Sequence, residues 1–169
     1  RQQVVAQYGE QAYSSGMSVV TTLRADEQQA AYKALRRTLI EHESRQAWRG
    51  PEDHEELDAD WANDDPAVAQ TLADYLDDEE LHVAVVTAAS PKQVTAVLAT
   101  GEVVRVEPKG LRQAQPGLSP KASAKLKISR GAVVRLVQQG KVWVLTQWPE
   151  AEGALVAHDH HDGEVRARA

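Results

Sequence analysis

The spacing of apolar residues changes character along the chain. Between residues 26 and 46, Tyr32, Leu35 and Leu39 recur at helical spacing with Ala31, Ala34 and Ile40 beside them, while Lys33, Arg36 and Arg37 fall on the other side. Asp26 stands three residues before Gln29, the capping-box spacing, and Trp48-Arg49-Gly50-Pro51 closes the pattern, so an amphipathic helix is predicted over 26–46. Upstream, the β-branched run Met17-Ser18-Val19-Val20-Thr21-Thr22-Leu23 predicts a strand over 17–23. Residues 52–65 are polar and weakly periodic, as expected of a loop or mobile linker. Pro66 after Asp65 suits a first helical turn, and Val68, Leu72, Tyr75 and Leu76 form a short stripe, which predicts a helix over 66–80. Its last turn, Asp77 to Glu80, would put negative charge at the unfavourable end of the helix dipole, implying fraying or basic groups nearby.

From residue 82 the pattern is that of short strands, at 83–88, 93–99, 102–107, 132–138 and 141–148. Thr100-Gly101 and Gln139-Gly140 mark tight turns, because glycine supplies the positive φ that paired hairpin strands need. Five short strands with one long irregular connection, 108–131, predict a small barrel of the oligonucleotide/oligosaccharide-binding (OB) type, with a five-stranded sandwich as the alternative. A further hairpin is expected at the end: Ala154 to Ala157 going out, Asp162-Gly163 as a type I′ turn, Val165 to Ala169 returning. The fold class is thus mainly β with α, a five-stranded OB-like barrel inserted into an α+β lobe in which helix 26–46 covers a small antiparallel sheet.

Composition narrows the chemistry. The 169 residues are 42% hydrophobic and 26% charged, which suits a globular protein. There is no Cys, which excludes disulfides, thiolate zinc sites and Cys nucleophiles, and no Phe, so Val, Leu, Ala and Trp must build the core. The first residue is Arg1 and the chain is read as a piece of something longer. The net charge of −6 is unevenly distributed. Residues 52–80 hold 13 acids and no Lys or Arg, whereas 81–148 hold 10 bases against Glu102 and Glu107. Such blocks can neutralise each other or serve outside partners.

Candidate chemistry is sparse. None of the eight serines has Lys three residues on, and Lys-Thr-Gly is absent, so the Ser-x-x-Lys machinery of penicillin-sensitive acyl transfer is missing and no catalytic residue is expected. Acid pairs such as Glu55-Glu56 and Asp77-Asp78 sit in a polar stretch without the fixed separation that glycoside hydrolysis needs. The run His158-Asp159-His160-His161-Asp162 offers zinc-type donors, but strand alternation sends His158 and His160 to one face and His161 into the turn; neither a metal nor a cofactor is expected. On the long connection, Lys121, Lys125, Lys127 and Arg130 form a local positive field and are the predicted partner-binding residues. With Trp143 and Trp148 as the sole aromatics of 82–148, stacking platforms for nucleic acid are lacking, and no nucleic-acid partner is expected.

One resemblance ties these parts together. Trp143-Val144-Leu145-Thr146-Gln147-Trp148-Pro149-Glu150, followed by Gly153-Ala154-Leu155-Val156-Ala157 and by Asp159, Gly163, Val165 and Ala167, resembles the return from the β-rich insert of class A penicillin-binding proteins, 1A type. Tyr8-Gly9, Ala12-Tyr13, Gly16, Val19, Thr21-Thr22, Gln29-Ala30-Ala31 and Leu35 resemble the same family's segment entering the transpeptidase domain, and Arg49-Gly50-Pro51 resembles its step from the helix into the insert. His160 stands where the family often has Pro. The resemblance covers about 8–51 and 82–169 and is weak over 52–81. It implies that 1–51 and 149–169 are the edge of a transpeptidase domain, 52–81 an acidic linker with a short helix, and 82–148 the OB-like insert. It further implies a bifunctional peptidoglycan synthase whose glycosyltransferase and transpeptidase sites lie outside this stretch. The stretch itself would be a non-catalytic docking and regulatory region. Its setting would be the periplasmic part of an inner-membrane-anchored protein, with contact to the membrane only through a helix outside the stretch. The partner would be an outer-membrane lipoprotein activator or another cell-wall synthesis protein. The alternative is a stand-alone OB-type binding module for nucleic acid or glycan.

Overall fold

The computed structural model describes residues 2–9, 16, 18 and 20–169. Helices are α1 (Gln2–Tyr8), α2 (Ala25–Glu43) and α3 (Gln115–Leu118), with 3₁₀ helices at Pro66–Leu72 and Pro108–Leu111. Strands are β1 (Asp53–His54), β2 (His82–Ser90), β3 (Gln93–Leu98), β4 (Val103–Val106), β5 (Ala132–Gln139), β6 (Val142–Thr146), β7 (Val156–His158) and β8 (Val165–Arg168). The chain divides into two units, Arg1–Leu35 with Ala154–Ala169, and Arg36–Gly153.

The second unit is built on an antiparallel sheet of order β1-β5-β2-β3-β4, with β6 also paired to β5. Strand β2 explains why its sequence is almost continuously apolar. Side chains alternate between faces, and both faces are covered. Ala84 and Val86 join Val94, Leu136 and Leu145 in one core, over which the connection 108–131 lays Leu111, Leu118 and Ile128, with Trp48 alongside. Val83 and Val85 join Val97 and Val133 in the other, closed by Val68 and Leu72 and by partly buried Leu57, Trp61 and Tyr75. Fully burying a residue such as Leu72 or Val68 contributes about 1.5–3 kcal/mol.

The acidic stretch therefore differs from the expected linker. Residues 53–54 pair with β5 as β1, and the apolar positions among the acids lie on the sheet. The expected helix 66–80 is shorter and tighter, a 3₁₀ helix that ends at Leu72; Asp65 caps it by accepting the Ala67 N–H. The acids beyond it do not end a helix. Asp77 accepts the Val83 N–H at 2.9 Å, while Asp78 accepts those of Glu80 and Leu81 and pairs with Arg36 at 2.7 Å. Local side-chain acceptors outcompeted helical hydrogen bonds.

The five strands after residue 82 stand within a few residues of their expected positions, but among the described residues no ladder joins β4 to β6, so no barrel closes by hydrogen bonding. The 3₁₀ helix Pro108–Leu111 packs against both strands instead. Gly110 allows this: a methyl group there would collide with the Trp143 carbonyl of β6 and with Val106 of β4.

In the first unit, β7 and β8 pair as a two-stranded sheet. The connection is longer than the expected two-residue turn. Asp159 accepts the Gly163 N–H through its carbonyl, and among the described residues glycines alone, Gly163 included, have positive φ, whereas a type I′ turn needs two such residues in succession. Of the strand expected over 17–23, residues 17 and 19 lie outside the described residues, and 18 and 20–23 are not in a strand. The segment still reaches β8: the Thr22 hydroxyl donates to the Val165 carbonyl at 2.6 Å and the Arg24 N–H to the Arg166 carbonyl at 2.9 Å. Gln28 of α2 bonds Arg168 with both ends of its amide, accepting the backbone N–H and donating to the carbonyl.

Candidate docking groove

Within the second unit, the chain leaving α2 forms one wall of a groove of about 930 Å³, and β6 with the connection 109–126 forms the other. The indole N–H of buried Trp48 donates to the Leu126 carbonyl at 2.9 Å. Gln113 bridges the walls: its amide nitrogen donates to the Glu43 and Gln46 carbonyls, and its oxygen accepts the Thr146 hydroxyl at 2.9 Å. Trp48, Pro116, Leu126, Val142 and Val144 supply apolar lining. Arg45, Lys109 and Arg112 are exposed around it, and no carboxylate lines it.

Beneath this wall sits a buried carboxylate. Glu43 is 1% exposed. It accepts from Arg49 and from Gln147 at 2.6 Å each and from the Glu150 N–H at 3.3 Å. Burial alone would raise its pKa, but the donors from Gln147, Arg49 and Glu150 prevail and hold it below the ordinary carboxylate value. The cluster joins the end of α2 to the chain leaving β6, and its geometry is that of a fastener.

The structure separates the four cations expected to bind a partner. Lys125 and Lys127 are exposed on either side of Leu126, next to the groove, and Lys121 is exposed four residues before Lys125. Arg130 is turned inward. Its guanidinium donates to Asn63 Oδ1 and to the carbonyls of Asp58, Trp61 and Thr87 at 2.9–3.3 Å. The groove also brings in Arg45 and Trp48, which sequence reasoning left out because nothing in the linear pattern links residue 45 to residues 109–112. Lys109 and Arg112 stood in the basic connection but not among the chosen four.

The remaining candidates are local. Glu55 and Asp53 both accept from the Tyr75 hydroxyl, at 2.7 and 3.1 Å; burial and these acceptors push the phenol pKa well up. In the terminal hairpin, potential ligand atoms of Asp159, His160 and His161 all lie within 4.8 Å of one another. Asp159 accepts from the His161 N–H and from Arg166, and these bonds hold its carboxyl below the usual range.

Residues 48–151, which include the β6 side of the groove and Trp48 of the other wall, match the family model described as the penicillin-binding protein OB-like domain. The chain belongs to this family. Among curated relatives, the penicillin-binding protein 1A of Neisseria lactamica is 34% identical over 168 residues, covering 99% of this chain and 21% of the relative. That of Escherichia coli K12 is 33% identical over 174 residues, covering 99% of this chain and 20% of the relative. The crystal structure of penicillin-binding protein 1A from Haemophilus influenzae superposes over 100% of this chain and 24% of its own, with a TM-score of 0.78 and 28% identity. The chain thus spans about a fifth of the length of the relatives it matches and is a fragment of the penicillin-binding protein 1A type. Among the described residues no helix is long and apolar enough to cross a membrane.

Proposed function

We propose that this chain is a non-catalytic docking and regulatory region of a bifunctional peptidoglycan synthase, with the glycosyltransferase and penicillin-sensitive transpeptidase sites elsewhere in the parent protein. The observation that carries the reading is the groove: an apolar cleft rimmed by Arg45, Lys109 and Arg112, without a carboxylate, at the edge of the region matching the penicillin-binding protein OB-like domain. On this reading the sheet β1–β6 with its 3₁₀ closure is a partly open OB-like barrel, and residues 1–51 and 149–169 are the edge of the transpeptidase domain. The partner is an acidic surface on another cell-wall synthesis protein, an outer-membrane lipoprotein activator being the kind that the family resemblance implies. Lys125 and Lys127 extend the positive field beyond the groove and speed encounter. The setting is the periplasmic face of an inner-membrane-anchored protein.

The test is charge reversal in the full-length parent. Arg45→Glu with Arg112→Glu should leave covalent labelling by fluorescent penicillin unchanged in the purified parent, yet lower peptidoglycan cross-linking in cells that depend on it. Unchanged cross-linking at equal protein level would remove the docking role. Stoichiometric penicillin labelling of a serine within these 169 residues would remove the non-catalytic one.

A further inference from the structure

We propose that the turn between β7 and β8 is a binding site for a divalent cation of the zinc, nickel or copper class, with His160, His161 and Asp159 as protein ligands. Imidazole and carboxylate together suit borderline cations of this class. The turn gathers the donors in a way that simple strand alternation does not. Asp159 accepts the Gly163 N–H through its carbonyl and the His161 N–H through Oδ1, so the chain curls and brings residue 161 back over residue 159. His161 Nδ1 then lies 3.3 Å from Asp159 Oδ1. That is close to the edge of a tetrahedron built on bonds near 2.0–2.1 Å, roughly 3.3 Å. The His160 and His161 rings are 3.6 Å apart between centroids, and one ligand atom from each of the three residues falls within a 4.8 Å cluster.

The surroundings orient the site. Arg166 holds Asp159 Oδ2 at 2.7 Å and leaves Oδ1 toward the histidines, the task that outer hydrogen bonds perform for metal-binding carboxylates. The guanidinium does not make the turn cationic. With neutral histidines, Asp159, Asp162 and Glu164 against Arg166 give three minus one, a net charge of −2 over residues 158–166, which suits a dication. His158 is set apart, with Nδ1 3.3 Å from the Gly163 carbonyl. Three protein donors leave a fourth position to water, and the ion would cross-link the turn, stiffening the hairpin.

Zinc titration of the 169-residue chain by calorimetry at neutral pH should give one site of micromolar affinity, and nickel should broaden amide resonances around residues 159–166. His160→Ala and His161→Ala should each weaken zinc binding by about 10-fold or more, whereas His158→Ala should leave it unchanged. Both histidines are exposed, so the variants should keep the hairpin; retained β7–β8 amide protection would verify this. The proposal fails if zinc does not bind up to about 1 mM, an affinity of only some 4 kcal/mol. It fails equally if the His160 and His161 variants bind as the parent chain does.

Discussion

Arg135 grips Glu52 with two nitrogens, Nε to Oε1 at 2.8 Å and an Nη to Oε2 at 2.9 Å, from a position on β5 that is itself almost completely buried. The same guanidinium donates to the Leu76 carbonyl and lies 4.8 Å from the centroid of a Trp148 ring. One basic side chain thus fixes three segments: the start of the acidic stretch, its end, and the chain leaving β6. Arg135→Ala should destabilise the chain by about 2 kcal/mol, since it removes a buried, packed stem together with charged hydrogen bonds to the Leu76 carbonyl and to the partly exposed Glu52. Urea unfolding at neutral pH checks this, and a change below about 0.5 kcal/mol would refute it.

Glu43 makes stability depend on acid. Its folded pKa lies below the ordinary 4.5, so its contribution is fully present above that value and is lost as pH falls through the depressed one. Glu43→Gln should cost about 2 kcal/mol at pH 7, the range for hydrogen bonds to a charged group. The gap between parent and variant should narrow on acidification below 4.5. Parallel unfolding curves at neutral and acid pH measure it; a gap that does not change with pH would show that the charge contributes nothing.

Arg130 and its lysine neighbours should behave differently when altered. Arg130→Ala removes donors from the Asp58, Trp61 and Thr87 carbonyls and from Asn63, so amide exchange over 58–63 should accelerate and stability should fall by about 2 kcal/mol. Lys125→Glu with Lys127→Glu alters exposed groups and should change stability by no more than about 0.5 kcal/mol. Equal effects of the two changes would contradict this division.

Gly110→Ala should cost about 1–3 kcal/mol, because the new methyl group meets the Trp143 carbonyl, a backbone atom that cannot turn aside, as well as Val106. A thermal melt followed by tryptophan fluorescence should show the loss. An unchanged melting temperature would mean that the 3₁₀ turn shifts freely.

What the linear pattern made legible was whatever depends on near neighbours. The strands from 82 onward were marked by β-branched runs and by glycines at the turns, and helix α2 by Asp26, Gln29 and the Tyr32, Leu35 and Leu39 stripe. What escaped depends on distant partners. Leu57, Trp61 and Val68 look like isolated apolar residues in an acidic run, and only the second face of β2 and β3, which they cover, gives them a destination. Arg130 reads as one more cation on a basic loop, because its acceptors lie 43 to 72 residues upstream and are mostly backbone carbonyls, which carry no residue signature. The groove was illegible for the same reason: its rim joins residue 45 to residues 109 and 112.

The turn at Pro108–Leu111 has a bearing on solubility as well as on packing. A sheet that does not close offers unpaired strand edges to other molecules, a common route to aggregation. Here the Trp143 carbonyl of β6 abuts Gly110, and β1, the other strand on that side of β5, is two residues long. A second copy of the chain therefore finds no long bare edge on that side to extend. Displacing the turn would uncover β6, so variants there should be screened for self-association by light scattering as well as for melting temperature.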